Sequence, residues 1–181
     1  MSFACESMNQ RRSRFIAVWS SLMLYTVVAI GADYDPQFDP TAVEKWREIE
    51  VTLPAYPDDA DLIGVPLSAS DTFKLYIDRK SLSRGTDRVV RLTAVLESPS
   101  GARNVFYDGI RCDTREYKTY ALGTRERQWR SLATAPWQFI AAQERNGFRY
   151  QLYKDYVCDT TNTARAPADV LRAVTEVPRG N

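Results

Sequence analysis

The stretch Val89-Val90-Arg91-Leu92-Thr93-Ala94-Val95-Leu96-Glu97-Ser98-Pro99-Ser100-Gly101-Ala102-Arg103-Asn104-Val105-Phe106-Tyr107-Asp108-Gly109-Ile110-Arg111-Cys112 decides the fold of this chain. Val90, Leu92, Ala94 and Leu96 alternate with Arg91, Thr93 and Glu97. That period of two puts the apolar side chains on one face of a strand and the polar ones on the other. Ser98-Pro99-Ser100-Gly101 is a hairpin turn, because proline presets its own φ and glycine accepts a positive one. Arg103 to Cys112 returns as the next strand, and Glu116 to Leu122 pairs after it, ending at Gly123. Upstream, Phe73 to Ile77 alternates in the same way before turns at Asp78 and Gly85. The expectation is an antiparallel meander with one buried face and one wet face.

Downstream the pattern changes. Trp129, Trp137, Phe139 and Ile140 offer bulk for a core, and Asn146-Gly147 breaks the chain. Phe148, Leu152 and Tyr156 then recur at helical spacing, although Phe148, Tyr150 and Leu152 also alternate. The segment Phe148 to Val157 reads as a helix docked on the sheet. After Cys158 the chain is polar, with a short helix expected over Pro167 to Val174. Before the sheet, Leu53-Pro54-Ala55-Tyr56-Pro57 stops any regular element, and Asp39 with Pro40 marks a short helix reaching Trp46. The fold class is therefore α+β: an antiparallel meander sheet with a C-terminal helix packed on one face and one disulfide.

The amino terminus reads as an export signal. Arg11, Arg12 and Arg14 precede an uncharged run of about 18 residues from Phe15, closing on the small residues Ala29-Ile30-Gly31-Ala32. The competing reading is an uncleaved membrane anchor, for which such a run is barely long enough. The chain then divides into a signal peptide over 1–31, a flexible acidic entry segment over 32–45, a domain over 46–158 and a polar tail over 159–181. Losing a leader that carries Arg11, Arg12, Arg14 and Glu6 turns a net charge of +1 into −1. Cys5 is lost with it, leaving Cys112 and Cys158. An even number of cysteines in an oxidising compartment predicts that they pair. The alternative is two buried free thiols, and a redox-active pair lacks its Cys-x-x-Cys spacing.

The chain of 181 residues has no histidine. Ser-His-Asp and Cys-His catalysis, imidazole proton shuttling and imidazole-bound metal are thereby excluded. Charge is unevenly placed: residues 33–62 hold nine acids and two bases, and residues 79–130 hold twelve bases and six acids. The functional reading is a basic sheet face made by Arg91, Arg103, Arg111 and Arg115, extended by Arg125, Arg127 and Arg130. Such a face suits an anionic polymer or an acidic protein. The competing reading lays the acidic amino-terminal segment across that face, or leaves the charges solvated. Asp58, Asp59 and Asp61 fit a turn better than a calcium loop, because position twelve counted from Asp59 is Ser70. Asp78 and Asp108 are the carboxylates to weigh for glycoside hydrolysis, though their spacing defines no cleft. Tyr107, Tyr117, Tyr120, Trp129 and Trp137 form either a sugar-stacking platform or cross-strand core pairs. No cofactor, metal or nucleic-acid partner is indicated.

Read in order, Leu53-Pro-Ala-Tyr-Pro57, Asp61-Leu62-Ile63, Ile77-Asp78, Ser81-Leu82, Val89-Val90-Arg91, Ser98 to Val105, Tyr107, Gly109-Ile110-Arg111-Cys112, Tyr120-Ala121 and Leu152 to Cys158 form a linear series. The series resembles the CNP1-like family, exported proteins of Gram-negative bacteria, over roughly Trp46 to Cys158. Leu92 stands where that family usually has tyrosine, and Asp108 where it has glutamate. The resemblance implies export and a shared disulfide and assigns no catalytic residue. The expected function is thus a non-catalytic binding or structural module for an envelope component or partner protein. It would act in the periplasm or at the outer cell surface, touching the membrane only through an uncleaved signal segment. The alternative is a histidine-independent carboxylate enzyme acting on envelope polysaccharide.

Overall fold

The structure is a computed structural model and describes residues 45–67, 72–132, 134–142 and 147–176. The expected signal segment lies outside the described residues, as does nearly all of the helix expected from Asp39. Lys45 and Trp46, where that helix would end, are in irregular backbone.

Eight strands form one antiparallel sheet. They are β1 (Leu62–Val65), β2 (Lys74–Asp78), β3 (Ser83–Arg84), β4 (Val90–Glu97), β5 (Arg103–Arg111), β6 (Glu116–Gly123), β7 (Trp129–Ser131) and β8 (Gln138–Phe139). The order is β1-β2-β4-β5-β6-β7, with β3 on β4 and β8 on β6. The long strands lie where alternation placed them, with Val90 opposite Ile110 and Leu96 opposite Asn104. Their hairpin closes as Gly101 N donates to Ser98 O at 2.9 Å, and Gly101 takes φ +80°, where a side chain would strain the turn.

Two helices cover one face. The first, α1 (Phe148–Gln151), runs on as a π-helical turn over Leu152–Val157; the second is α2 (Pro167–Glu176). Phe148, Leu152 and Tyr156 pack on Val90, Leu92, Ala94 and Leu96, as their spacing of four requires. Cys112, just past β5, is bonded to Cys158 at the end of the first helix, across a sequence separation of 46. Val170 and Val174 of α2 are also in this core. The core therefore continues past Cys158 into the segment expected as a polar tail. Leu171 and Ala173 pack beside Val170 and Val174, so α2 presents a short apolar stripe to the core.

The expected wet face is absent from the centre of the sheet. Arg91, Thr93 and Val95, which point away from the helices, are as buried as their neighbours. Residues 46–57 cross that face as an extended strap: Trp46 Nε1 donates to Asp87 O at 2.9 Å, and Trp129 Nε1 donates to Pro54 O at 2.9 Å. Val51 and Leu53 pack on Tyr107, Tyr120 and Ala121. A bulge between β5 and β6 helps, because Tyr107 pairs with Ala121 and Asp108 with Thr119, leaving Tyr120 as the extra residue. Phe139, expected in the core, is 59% exposed. It lies on an edge strand of two residues, and Ile140 turns inward instead.

Candidate functional site

Carboxylates of the turns and neighbouring strands match most cations of the expected binding face within the protein, and Glu48 of the strap matches Lys118. Arg91 forms a forked pair with Asp87 at 3.1 and 2.6 Å and is 5% exposed at the side chain. Asp87 also accepts from the Ile49 and Val89 amides. Burial opposes its ionisation, but the Arg91 guanidinium and the two amides hold its carboxyl below the ordinary range. Glu48 accepts from Tyr120 Oη at 2.7 Å, Lys118 Nζ at 2.9 Å and Trp137 Nε1 at 3.4 Å. Burial again opposes ionisation, and these donors again outweigh it, so the Glu48 carboxyl is also held low. Burial, then Glu48, push the Tyr120 phenol far above its usual value, which leaves it a neutral donor.

The four arginines expected to share a ligand are not brought together. Arg91 is sealed under the strap and cannot reach a ligand. Arg111 stacks on Trp46 at 3.8 Å and bonds Glu116 Oε2 at 3.1 Å. Arg115, at φ 54° in the β5–β6 turn, points to the helix side and lies near the rings of Phe139, Tyr150 and Tyr153. Arg103 alone of the four faces open space, at the far end of the strap.

There it lines a pocket of about 470 Å³ together with Arg125 and Arg127 of the β6–β7 turn. Leu62, Val95 and Val105 form an apolar floor, and Tyr56 and Pro57 one wall. The strap end lies this close to the sheet because residue 123 is glycine: a Cβ there would lie 2.7 Å from both Tyr56 Oη and Val105 Cβ. Arg127 takes φ 57°, a left-handed conformation that costs a side-chain-bearing residue about 1 kcal/mol. Its Nη2 donates to Pro57 O at 2.9 Å, and the guanidinium lies 5.4 Å from the Tyr56 ring centre. Burial raises the Tyr56 phenol above its usual value despite Arg127 and Arg103. Asp59 Oδ1 sits 2.9 Å from Arg103 Nη1 and 3.9 Å from Arg127 Nη1. Among the described residues Arg125 has no ion-pair partner. The pocket can therefore hold an anion against guanidinium groups and an apolar body against its floor.

The remaining candidates resolve into structural roles. Asp58 caps a single 3-10 turn (Asp59–Asp61) by accepting from Ala60 N. Asp61 pairs with Lys80 at 2.7 Å, and among the described residues no three potential ligands converge on a metal position. Asp78 accepts from the Lys80 and Ser81 amides, closing the turn after β2. Asp108 is buried on the helix side, where it accepts from Arg149 Nε at 2.8 Å and Thr119 Oγ1 at 2.7 Å. Both carboxylates are thus committed to the fold. Tyr107, Tyr120, Trp129 and Trp137 form a chain of ring contacts beneath the strap, and Tyr117 is buried on the other face. None of these offers an open stacking platform.

Sequence reading missed the convergence of Arg125, Arg127 and Asp59. The available signals were the adjacent Pro57-Asp58-Asp59 and the tight Thr124-Arg125-Glu126-Arg127 turn, but nothing linear joins them across more than sixty positions. No helix among the described residues is long and apolar enough to cross a membrane. Compared with known proteins, residues 41–175 match the model of the CNP1-like family. No curated protein and no solved structure matches the chain.

Proposed function

We propose a function for a chain that belongs to the CNP1-like family: it is an exported protein of the Gram-negative envelope that binds an anionic envelope component without changing it chemically. The observation that carries this reading is the convergence of Arg103, Arg125 and Arg127 on one apolar-floored pocket, to whose lining Asp59 supplies the sole carboxylate. Guanidinium forks match the oxygens of phosphates and carboxylates. On the same face Arg91, Arg111 and Lys118 are matched by Asp87, Glu116 and Glu48, whereas Arg125 of this pocket has no ion-pair partner among the described residues. Export, to the periplasm or the outer surface, is supported by Arg11 to Ala32 and by the Cys112–Cys158 bond, which persists in oxidising compartments.

Titration of the protein with purified lipopolysaccharide over a salt series tests the reading. Affinity is expected to fall at least tenfold between roughly 50 and 300 mM salt, and Arg103→Ala/Arg125→Ala to lose about tenfold at low salt. Salt-independent binding, or a double variant that binds like the parent, would overturn it.

A further inference from the structure

Resting on that reading, we propose that the pocket takes a phosphate monoester carried on a saccharide, and that Asp59 is the internal counter-ion that this phosphate displaces. The two arginines flanking Asp59 are oriented without it. Arg103 Nε is held by Glu97 Oε2 at 2.8 Å, which turns Nη1 toward the pocket. Arg127 is held by Pro57 O and by the ring of Tyr56. Both guanidinium groups keep their places when Asp59 leaves.

Asp59 is free to leave. It is 61% exposed at the side chain. Its turn is capped by Asp58 and tied down through Asp61 to Lys80. Nothing in the turn's own hydrogen bonding uses the Asp59 carboxylate.

Charge and shape name the ligand class. Three guanidinium groups meet two carboxylates, Glu97 on Arg103 and Asp59 between Arg103 and Arg127. That surplus grows by one charge when Asp59 leaves, and a phosphate monoester brings about −1.5 to −2 and three terminal oxygens. The phosphate satisfies Arg125 as well as the pair Asp59 now bridges. Behind it, Leu62, Val95, Val105 and Tyr56 offer an apolar surface, on which the apolar face of a sugar ring can lie. At about 470 Å³ the pocket is in the size range of small-molecule sites, so it suits a phosphorylated end group.

Calorimetry on the full-length chain with glucose 1-phosphate, glucose and glucuronate tests this, and vesicles containing lipid A separate a lipid-borne from a free source of the same phosphosugar. The parent is expected to bind glucose 1-phosphate or the lipid A vesicles, to bind glucuronate more weakly and to ignore glucose. Asp59→Asn should tighten phosphosugar binding about 3- to 5-fold, the scale of an exposed ion pair. Glu126→Gln makes the same charge change on the neighbouring turn without touching the pair, and should give less than about 1.5-fold. Equal gains from both variants would reduce Asp59 to a general field effect and overturn the proposal. So would an Asp59→Asn protein that binds no better than the parent while Arg125→Ala still loses affinity; the anion-binding reading would then stand alone. If neither phosphosugar source binds any variant while lipopolysaccharide still does, the ligand class is wrong. If lipopolysaccharide also fails, the underlying reading falls with it.

Discussion

Replacing Glu48 by Gln tests whether charge holds the strap on the sheet. Glutamine keeps the volume of the side chain but removes its charge and one of its two acceptor oxygens. In the parent, Tyr120 Oη at 2.7 Å and Lys118 Nζ at 2.9 Å bond separate oxygens, while Trp137 at 3.4 Å contributes little. The variant leaves one donor facing an amide NH2 in a half-buried place. A charge-assisted hydrogen bond is worth about 1.5–3 kcal/mol and a stranded buried donor costs about 1–3 kcal/mol, and the two overlap, so a loss of about 2 kcal/mol is expected at neutral pH. The pH dependence supplies a second signature. Because the folded-state pKa of Glu48 lies below its ordinary value of about 4.3, its contribution is complete above that value and disappears as pH falls through the folded-state pKa. Asp87 shifts in the same direction but is present in both proteins, so it cancels in the difference. Urea unfolding with the disulfide intact, from pH 7 down to about pH 3, should show a gap that is widest at neutral pH and closes in acid. A gap that is absent at pH 7, or constant across the series, would refute the reasoning.

Two further outcomes are expected on stability. Cys112→Ala opens a ring whose closure across 46 residues is worth about 4 kcal/mol; thermal melting indistinguishable from the parent would show that the bond contributes nothing. Arg149→Met strands the buried Asp108 carboxylate and should cost about 3–5 kcal/mol, whereas Asp108→Leu/Thr119→Val/Arg149→Met removes the whole polar group and should recover most of that loss. Additive losses in the urea unfolding of the triple variant would mean that the group is favourable in itself.

The sheet was legible because its information is local. Val90 to Leu96 and Phe148 to Tyr156 each carry their own period, and Ser98 to Gly101 carries its own turn chemistry. The short strands were harder: Leu62–Val65 and Trp129–Ser131 are too brief to show a period and owe their existence to a neighbour. The strap was harder still. Trp46, Glu48 and Leu53 have no regular pattern, and only the docking of Glu48 on Lys118, with Asp87 paired to Arg91 beneath the strap, explains why Arg91 is buried although charged. An acidic segment laid across the basic face was one of two readings, and Glu48 on Lys118 fits it, whereas Asp87 and Arg91 both belong to the basic stretch. At the site, Arg103, Arg125 and Arg127 were all on the expected basic face, but they meet one another and Asp59 only once the strap end has reached the β6–β7 turn.

The strap also orders events in time. Its anchors lie 38 to 89 positions away along the chain, whereas the β4–β5 and β5–β6 hairpins close between near neighbours. Closing a short loop is fast, and contacts between distant segments are slow. Residues 46–57 therefore leave the ribosome before their docking surface exists and dock after the hairpins have closed. Until they do, Tyr107, Tyr120 and Trp129 face water as a sticky aromatic row beside half-paired strands, the kind of surface that holdase chaperones cover. A segment made before the sheet thus seals it, and the pocket at its far end is completed only when that seal closes.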